Sequence, residues 1–217
     1  MELSLSEQLL LLSYDEISGR PAIPARNLDY GLAAARLLDL SYAGALTITN
    51  GFLVPTGKGT DPVLAKFGNN RHSADWWVYH LADAGYRQDL LDRLVQRGLL
   101  DQRDHRVLGI FPVRAYPEVD PAQERMLADH LREVLTGNAT PDQRSVSLLA
   151  LTHACGLDKH LFPQVDRHTM LLRLGDLTAS EWCGRAVRNI ITSVNAAVIS
   201  AVSGLPVSSA ASAVPAT

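Results

Sequence analysis

From Asn189 to Thr217 the chain carries no charged side chain, and the first part of that run is mostly apolar. Such a run either crosses a membrane or is buried in protein. Asn189, Thr192, Ser193, Asn195, Ser200 and Ser203 interrupt it. Gly204-Leu205-Pro206 then ends it after roughly 16 residues, short of the ~20 that a span needs. The stretch 179–204 therefore reads as a long, central, buried helix of a bundle. The small, polar residues 205–217 read as a disordered tail.

A buried helix needs others around it, and the rest of the chain supplies them. "MELSLSEQLLLLSYDE" begins with a "SLSEQ" helix start and places Leu5, Leu9 and Leu12 on one face over residues 3–13. It has acidic residues where a secretory signal would be basic, so the cytoplasm is the default compartment. After a loop with two prolines and a glycine (18–27), residues 27–44 read as a helix with Asn27 as N-cap and Gly44 as C-cap. Further helices are expected over 73–85 with Gly85 as the stop, and over 86–98 with Leu90, Leu91 and Leu94 inward and Gly98 as the stop. Another is signalled by Pro121 at its first position (120–137). The nearly all-apolar middle of 141–156 marks a helix buried on most sides, and "DRHTMLLRLGDL" is a short one.

Two hairpins interrupt the helices. "ALTITNGFLVP" (45–55) places Asn50-Gly51 between two apolar strands, the pair suited to a type I′ turn. "DQRDHRVLGIFPV" (101–113) opens with charge and closes with Val107, Leu108, Ile110 and Phe111, more apolar side chains than a one-sided hairpin uses. The fold class is thus mainly α: a central helical bundle ringed by amphipathic helices, with two short β-hairpins. It forms one domain over residues 1–204, and 217 residues can bury a core without disulfide or metal support. Cys155 and Cys183 read as reduced packing residues.

"GFLVPTGKGT" fails the phosphate-loop pattern: Gly51 to Gly57-Lys58 is one residue too long, and Gly59 stands where a magnesium-binding Ser or Thr belongs. No histidine pair has zinc spacing, and His153, among leucines, reads as a satisfied core histidine. No nucleophile motif of the G-x-S-x-G kind occurs. Neither a catalytic site, a metal nor a cofactor is expected. Trp76 and Trp77 are adjacent and cannot share a helix face, so one packs in the core while the other lies near the surface. Net charge is −3, and the 86–98 helix balances Arg87, Arg93 and Arg97 against Asp89 and Asp92. That balance argues against a winged-helix DNA binder, and no nucleic-acid partner is expected.

The order of these elements resembles the Golgi phosphoprotein 3 family over roughly residues 3–204. The resemblance is carried by "LSLSEQLLLLSYDE", "YGLAAARLLDLSYAGALTI", "RLVQRGLLDQRDHRVLGIFP", "RSVSLLALTHACGL" and "NAAVISAVSG". It implies a non-enzymatic, peripheral membrane protein, associated from the cytoplasm with the inner face of a membrane. Eukaryotic members bind phosphatidylinositol 4-phosphate and adapt membrane-protein tails. The implied partners are therefore an anionic phospholipid surface and such tails, with Val107, Leu108, Ile110 and Phe111 entering lipid. The arginine-heavy composition hints at a bacterial member.

Of the family's four head-group positions, Arg87 matches the second of two arginines before the hairpin helix. The first falls on Ala84, the arginine after Gly31-Leu32 is Ala33, and the loop tryptophan aligns near Pro24. Arg20, Arg26 and Arg36 are neighbouring candidates for substitute charge. The rival reading of the 99–113 hairpin is an interface of a soluble homo-oligomeric scaffold.

Overall fold

The computed structural model describes residues 3–68, 71–107, 111–179 and 185–203; residues 105–107, 111–113, 185–191 and 194 are described by backbone alone. Ten helices and two separate two-stranded antiparallel sheets make up these residues, in agreement with the expected class. In chain order the helices are α1 (Leu5–Leu12), α2 (Ala25–Tyr42), α3 (Leu64–Phe67), α4 (Ala74–Leu81), α5 (Ala84–Gln96), α6 (Ala122–Thr136), α7 (Gln143–Cys155), α8 (Asp158–Leu161), α9 (Arg167–Ala179) and α10 (Arg185–Ser203). The hairpins are β1–β2 (Leu46–Thr49, Phe52–Pro55) and β3–β4 (Arg103–Val107, Phe111–Ala115).

The core forms where α2 and α7 cross, with α1 on one side and α10 on the other. In α7, every residue from Ser145 to Thr152 is buried, as its apolar middle demands. Its ends are closed locally. Asp142 caps the Ser145 N–H at 2.7 Å, and Gly156 turns left-handed to stop it.

Helix α1 departs from the one-sided face expected of it: Leu5, Ser6, Glu7 and Leu9 to Leu12 are all buried. Its polar groups can be buried because distant partners satisfy them. Asp39 of α2 accepts from the Leu5 N–H at 3.0 Å and from Ser6, and burial pushes the Asp39 carboxyl above its ordinary pKa. Glu7 closes a capping box with Ser4 and takes the Arg97 guanidinium at 3.1 Å. Ser4→Ala removes half of that box, and chemical denaturation should show a loss of about 1 kcal/mol.

Three helix ends fall elsewhere than the sequence suggested. Helix α2 starts at Ala25 behind Pro24, with no side-chain cap, so Asn27 lies inside the first turn. The expected helix 73–85 stops at Leu81; Ala82 is extended, and Asp83 caps α5 by accepting from the Gly85 N–H at 3.0 Å. Gly85 is thus a helix beginning, not a stop. Helix α6 begins one residue beyond Pro121.

Helix α10 packs on α2, α4 and α7 and buries Ala197 and Val198. It is not buried all round, however. Thr192, Ala196, Ile199 and Ser203 form an exposed stripe at helical spacing, so α10 covers the bundle from one side. The residues between α9 and α10, and the tail from 204 onward, lie outside the described residues. No described helix is long and apolar enough to cross a membrane.

In the first hairpin, Asn50 and Gly51 both have positive φ (51° and 82°), the type I′ turn that this pair favours. The tryptophans divide as expected. Trp77 is buried and stacks on Phe67 with ring centroids 3.8 Å apart, while half-buried Trp76 lies between the His72 and His80 rings. His153 is a satisfied core histidine, with Nδ1 2.7 Å from the Asp158 carboxylate. Cys155 is buried, and burial pushes its thiol up to about 12. Cys183 falls outside the described residues.

Candidate lipid-facing site

Two surfaces bear the candidate residues: the start of α2 and the β3–β4 hairpin. At the first, Arg87 enters from the opening turn of α5 and donates to the Ala25 carbonyl of α2 at 3.0 Å. Its guanidinium also pairs with Asp29, one turn further along α2. Burial pushes the Asp29 carboxyl up, with Arg87 opposing the shift. Arg26, on the same turn of α2, is exposed and donates to the Tyr30 hydroxyl at 2.8 Å. Tyr30 in turn stacks with Tyr79 of α4. Arg20 is exposed on the preceding loop, beside Pro21, which bridges to Tyr14.

The structure therefore brings Arg87 and Arg26 together at the α2 N-terminus, with Arg20 on the loop leading to it. Arg36 is not with them. It lies three turns along α2, pairs bidentately with Asp61 and stacks over the Tyr86 ring. It lines an 810 Å³ cleft that also holds Glu7, Asp39, Asp61, Asp83 and Asp89. Arg93 is the other arginine on that wall. With acids outnumbering cations, the cleft repels an anionic head group.

Of the remaining carry-over positions, burial accounts for one. Pro24 and Ala84 are exposed near Arg87, whereas Ala33 is fully buried in α2. An arginine at Ala33 would sit in the helix packing of this chain. The pairing of Arg87 with Asp29 was missed by sequence reading, since 58 residues separate them and neither carries a local motif.

The second surface is a separate two-stranded sheet. β3 pairs with β4 in the register Arg103↔Ala115, Asp104↔Arg114, His105↔Val113, Arg106↔Pro112 and Val107↔Phe111. Its root is held by Asp101 N–H to the Pro117 carbonyl (2.9 Å) and by buried Ala115 and Tyr116. Among the described residues, no helix packs extensively along this ladder. Val107 and Phe111 are its last pair, as cross-strand partners. Leu108 and Ile110, expected at the apolar end, lie outside the described residues.

A protein-family model described as Golgi phosphoprotein 3 (GPP34) matches residues 5–194. The chain belongs to the Golgi phosphoprotein 3 family. The match spans every helix through the first half of α10 and both hairpins, so the two surfaces above lie within the Golgi phosphoprotein 3 domain. No curated protein matches the chain. Relative to the head-group positions expected of this family, our Golgi phosphoprotein 3 domain keeps Arg87 and ties it down with Asp29.

Proposed function

We propose that this chain is a non-enzymatic, peripheral protein of anionic phospholipid surfaces that docks chiefly through its β3–β4 hairpin. The observation that carries the reading is the ladder itself. It is rooted in the body, has no extensive helix packing among the described residues, and ends at Val107 and Phe111 in the sequence "VLGIF". Family membership supports the same reading.

Magnitudes favour the apolar contact over the head-group contact. Each apolar side chain buried in lipid contributes about 1.5–3 kcal/mol. An arginine near an anionic surface adds about 1 kcal/mol, and Arg87 is already paired with Asp29. The resulting association is reversible, strengthened where several copies share a surface. Phosphatidylinositol 4-phosphate is one candidate head group, and tails of membrane proteins are candidate cargo.

Co-sedimentation tests this, using vesicles of phosphatidylcholine alone, with phosphatidylglycerol, or with phosphatidylinositol 4-phosphate. Binding should require an anionic lipid. Phe111→Asp should weaken it by about tenfold or more, and Arg87→Gln by about fivefold at most. Absence of binding to every vesicle overturns the proposal. If Phe111→Asp also dissolves an oligomer, the hairpin is instead the interface of a soluble scaffold.

A further inference from the structure

Glu118 is the most anomalous side chain at the hairpin root. It is only 8% exposed, and its Oε1 has no hydrogen-bond partner. The backbone around it is zipped on two sides. The Tyr116 N–H donates to the Gly19 carbonyl (2.8 Å) and the Glu118 N–H to the Glu16 carbonyl (3.3 Å). On the other side, Leu100 bridges to Glu118 and the Val119 N–H donates to the Leu99 carbonyl (3.0 Å). Gly19 is required in this seam: its φ is +61°, and a Cβ there would overlap the backbone nitrogens of Tyr116 and Pro117.

The groups facing Glu118 are mostly of its own sign. Glu16 comes from the loop after α1 and Glu124 from the first turn of α6, and Asp15 in turn faces Glu124. Arg125 of α6 is the facing cation, but its guanidinium is engaged bidentately by Glu16 at 2.9–3.2 Å. Asp120 is occupied in accepting from the Ala122 N–H, Asp101 pairs with Arg103 two residues along the chain, and His160 acts on Asp15 from α8. A buried carboxylate among others, with its nearest cation spent, is costly to ionise.

We propose that Glu118 and Glu124 form a proton-operated latch at the root of the β3–β4 hairpin. While these carboxyls are protonated, residues 116–119, the loop 15–19 and the start of α6 stay joined; their ionisation frees the root. Glu124 is the partner that ionises first, because the first turn of a helix favours an anion. Burial, followed by the neighbouring carboxylates, pushes Glu118 up to about 8 and Glu124 to about 7. Both are raised acids, so the folded root binds more protons than the unfolded chain. Its stabilisation is complete below the ordinary glutamate range and is lost as pH rises through about 7 to 8. The latch is independent of what the hairpin touches, so it stands or falls apart from the lipid reading.

Hydrogen exchange on the full chain, with rates corrected for intrinsic pH dependence, tests it in peptides spanning 14–20 and 114–126. Between about pH 6 and about pH 8.5, opening of these peptides should rise by roughly tenfold or more, while α7 peptides remain unchanged. Glu118→Gln should hold the root protected at both values. Should that variant not fold, Glu124→Gln carries the same expectation, and carboxyl carbon titration of the unmodified chain should show a glutamate midpoint near neutrality. The latch is refuted by pH-independent protection in the unmodified chain, by full pH dependence in the glutamine variant, or by all glutamate midpoints lying near the ordinary value.

Discussion

Replacing Gly31 by valine is expected to destabilise the protein by about 3 kcal/mol or more, a large part of the stability of an ordinary domain. Gly31 is in the middle of α2, where α1 and α7 both press against it. A Cβ at this position would overlap the Cys155 Sγ of α7 and come within 3.1 Å of Leu9 Cδ2 on α1. Both neighbours are fully or almost fully buried, so a shift of either disturbs the packing around it. Alanine gives the sharper test. In an unobstructed helix Gly→Ala gains about 1 kcal/mol, yet Gly31→Ala should show a net loss. Adding Cys155→Ala should recover part of it, because the two sites share one space and couple by about 0.5–3 kcal/mol. Urea denaturation of the four proteins measures that coupling. A Gly31→Ala protein more stable than its parent would mean that the helices are further apart than described.

The second large effect separates two adjacent tryptophans. Trp77→Ala should cost about 3–5 kcal/mol, since Trp77 is 2% exposed and stacked on fully buried Phe67. Trp76→Ala removes a half-buried ring held between His72 and His80. Its loss should cost about 1 kcal/mol, the scale of exposed ring stacking. Thermal unfolding of both variants checks the contrast; equal losses would contradict the division of the two indoles between core and surface.

That division was legible in the sequence because adjacent helical residues must diverge by about 100°. Other features were legible for equally local reasons. Asn50-Gly51 supplies its own turn, and Gly98 and Gly156 adopt the left-handed conformation that stops α5 and α7. What could not be read locally depends on partners far along the chain. The burial of Ser6 and Glu7 on α1 is made tolerable by Asp39 and Arg97. The break after Leu81 has no proline or glycine at its hinge, and rests on the Asp83 side chain turning to cap α5. At the candidate site, Arg87 was identified by resemblance, but its neutralisation by Asp29 depends on two helix starts meeting in space. Arg36 looked near Arg20 and Arg26 in sequence, yet eleven residues of helix from Ala25 carry it about 16 Å along the axis.

The position of α10 bears on how the protein is made. This late helix covers the groove formed by α2, α4 and α7, which precede it in the chain. During synthesis from the N-terminus, Leu32, Val78 and their neighbours must wait, partly uncovered, until residues near Val198 have left the ribosome. At about 5–20 residues per second, the roughly 120 residues from Val78 to Val198 take some 6–25 seconds. During that interval the faces of α2 and α4 that α10 later covers stay open, and α10 joins them as a lid on elements already made rather than as a seed for the core.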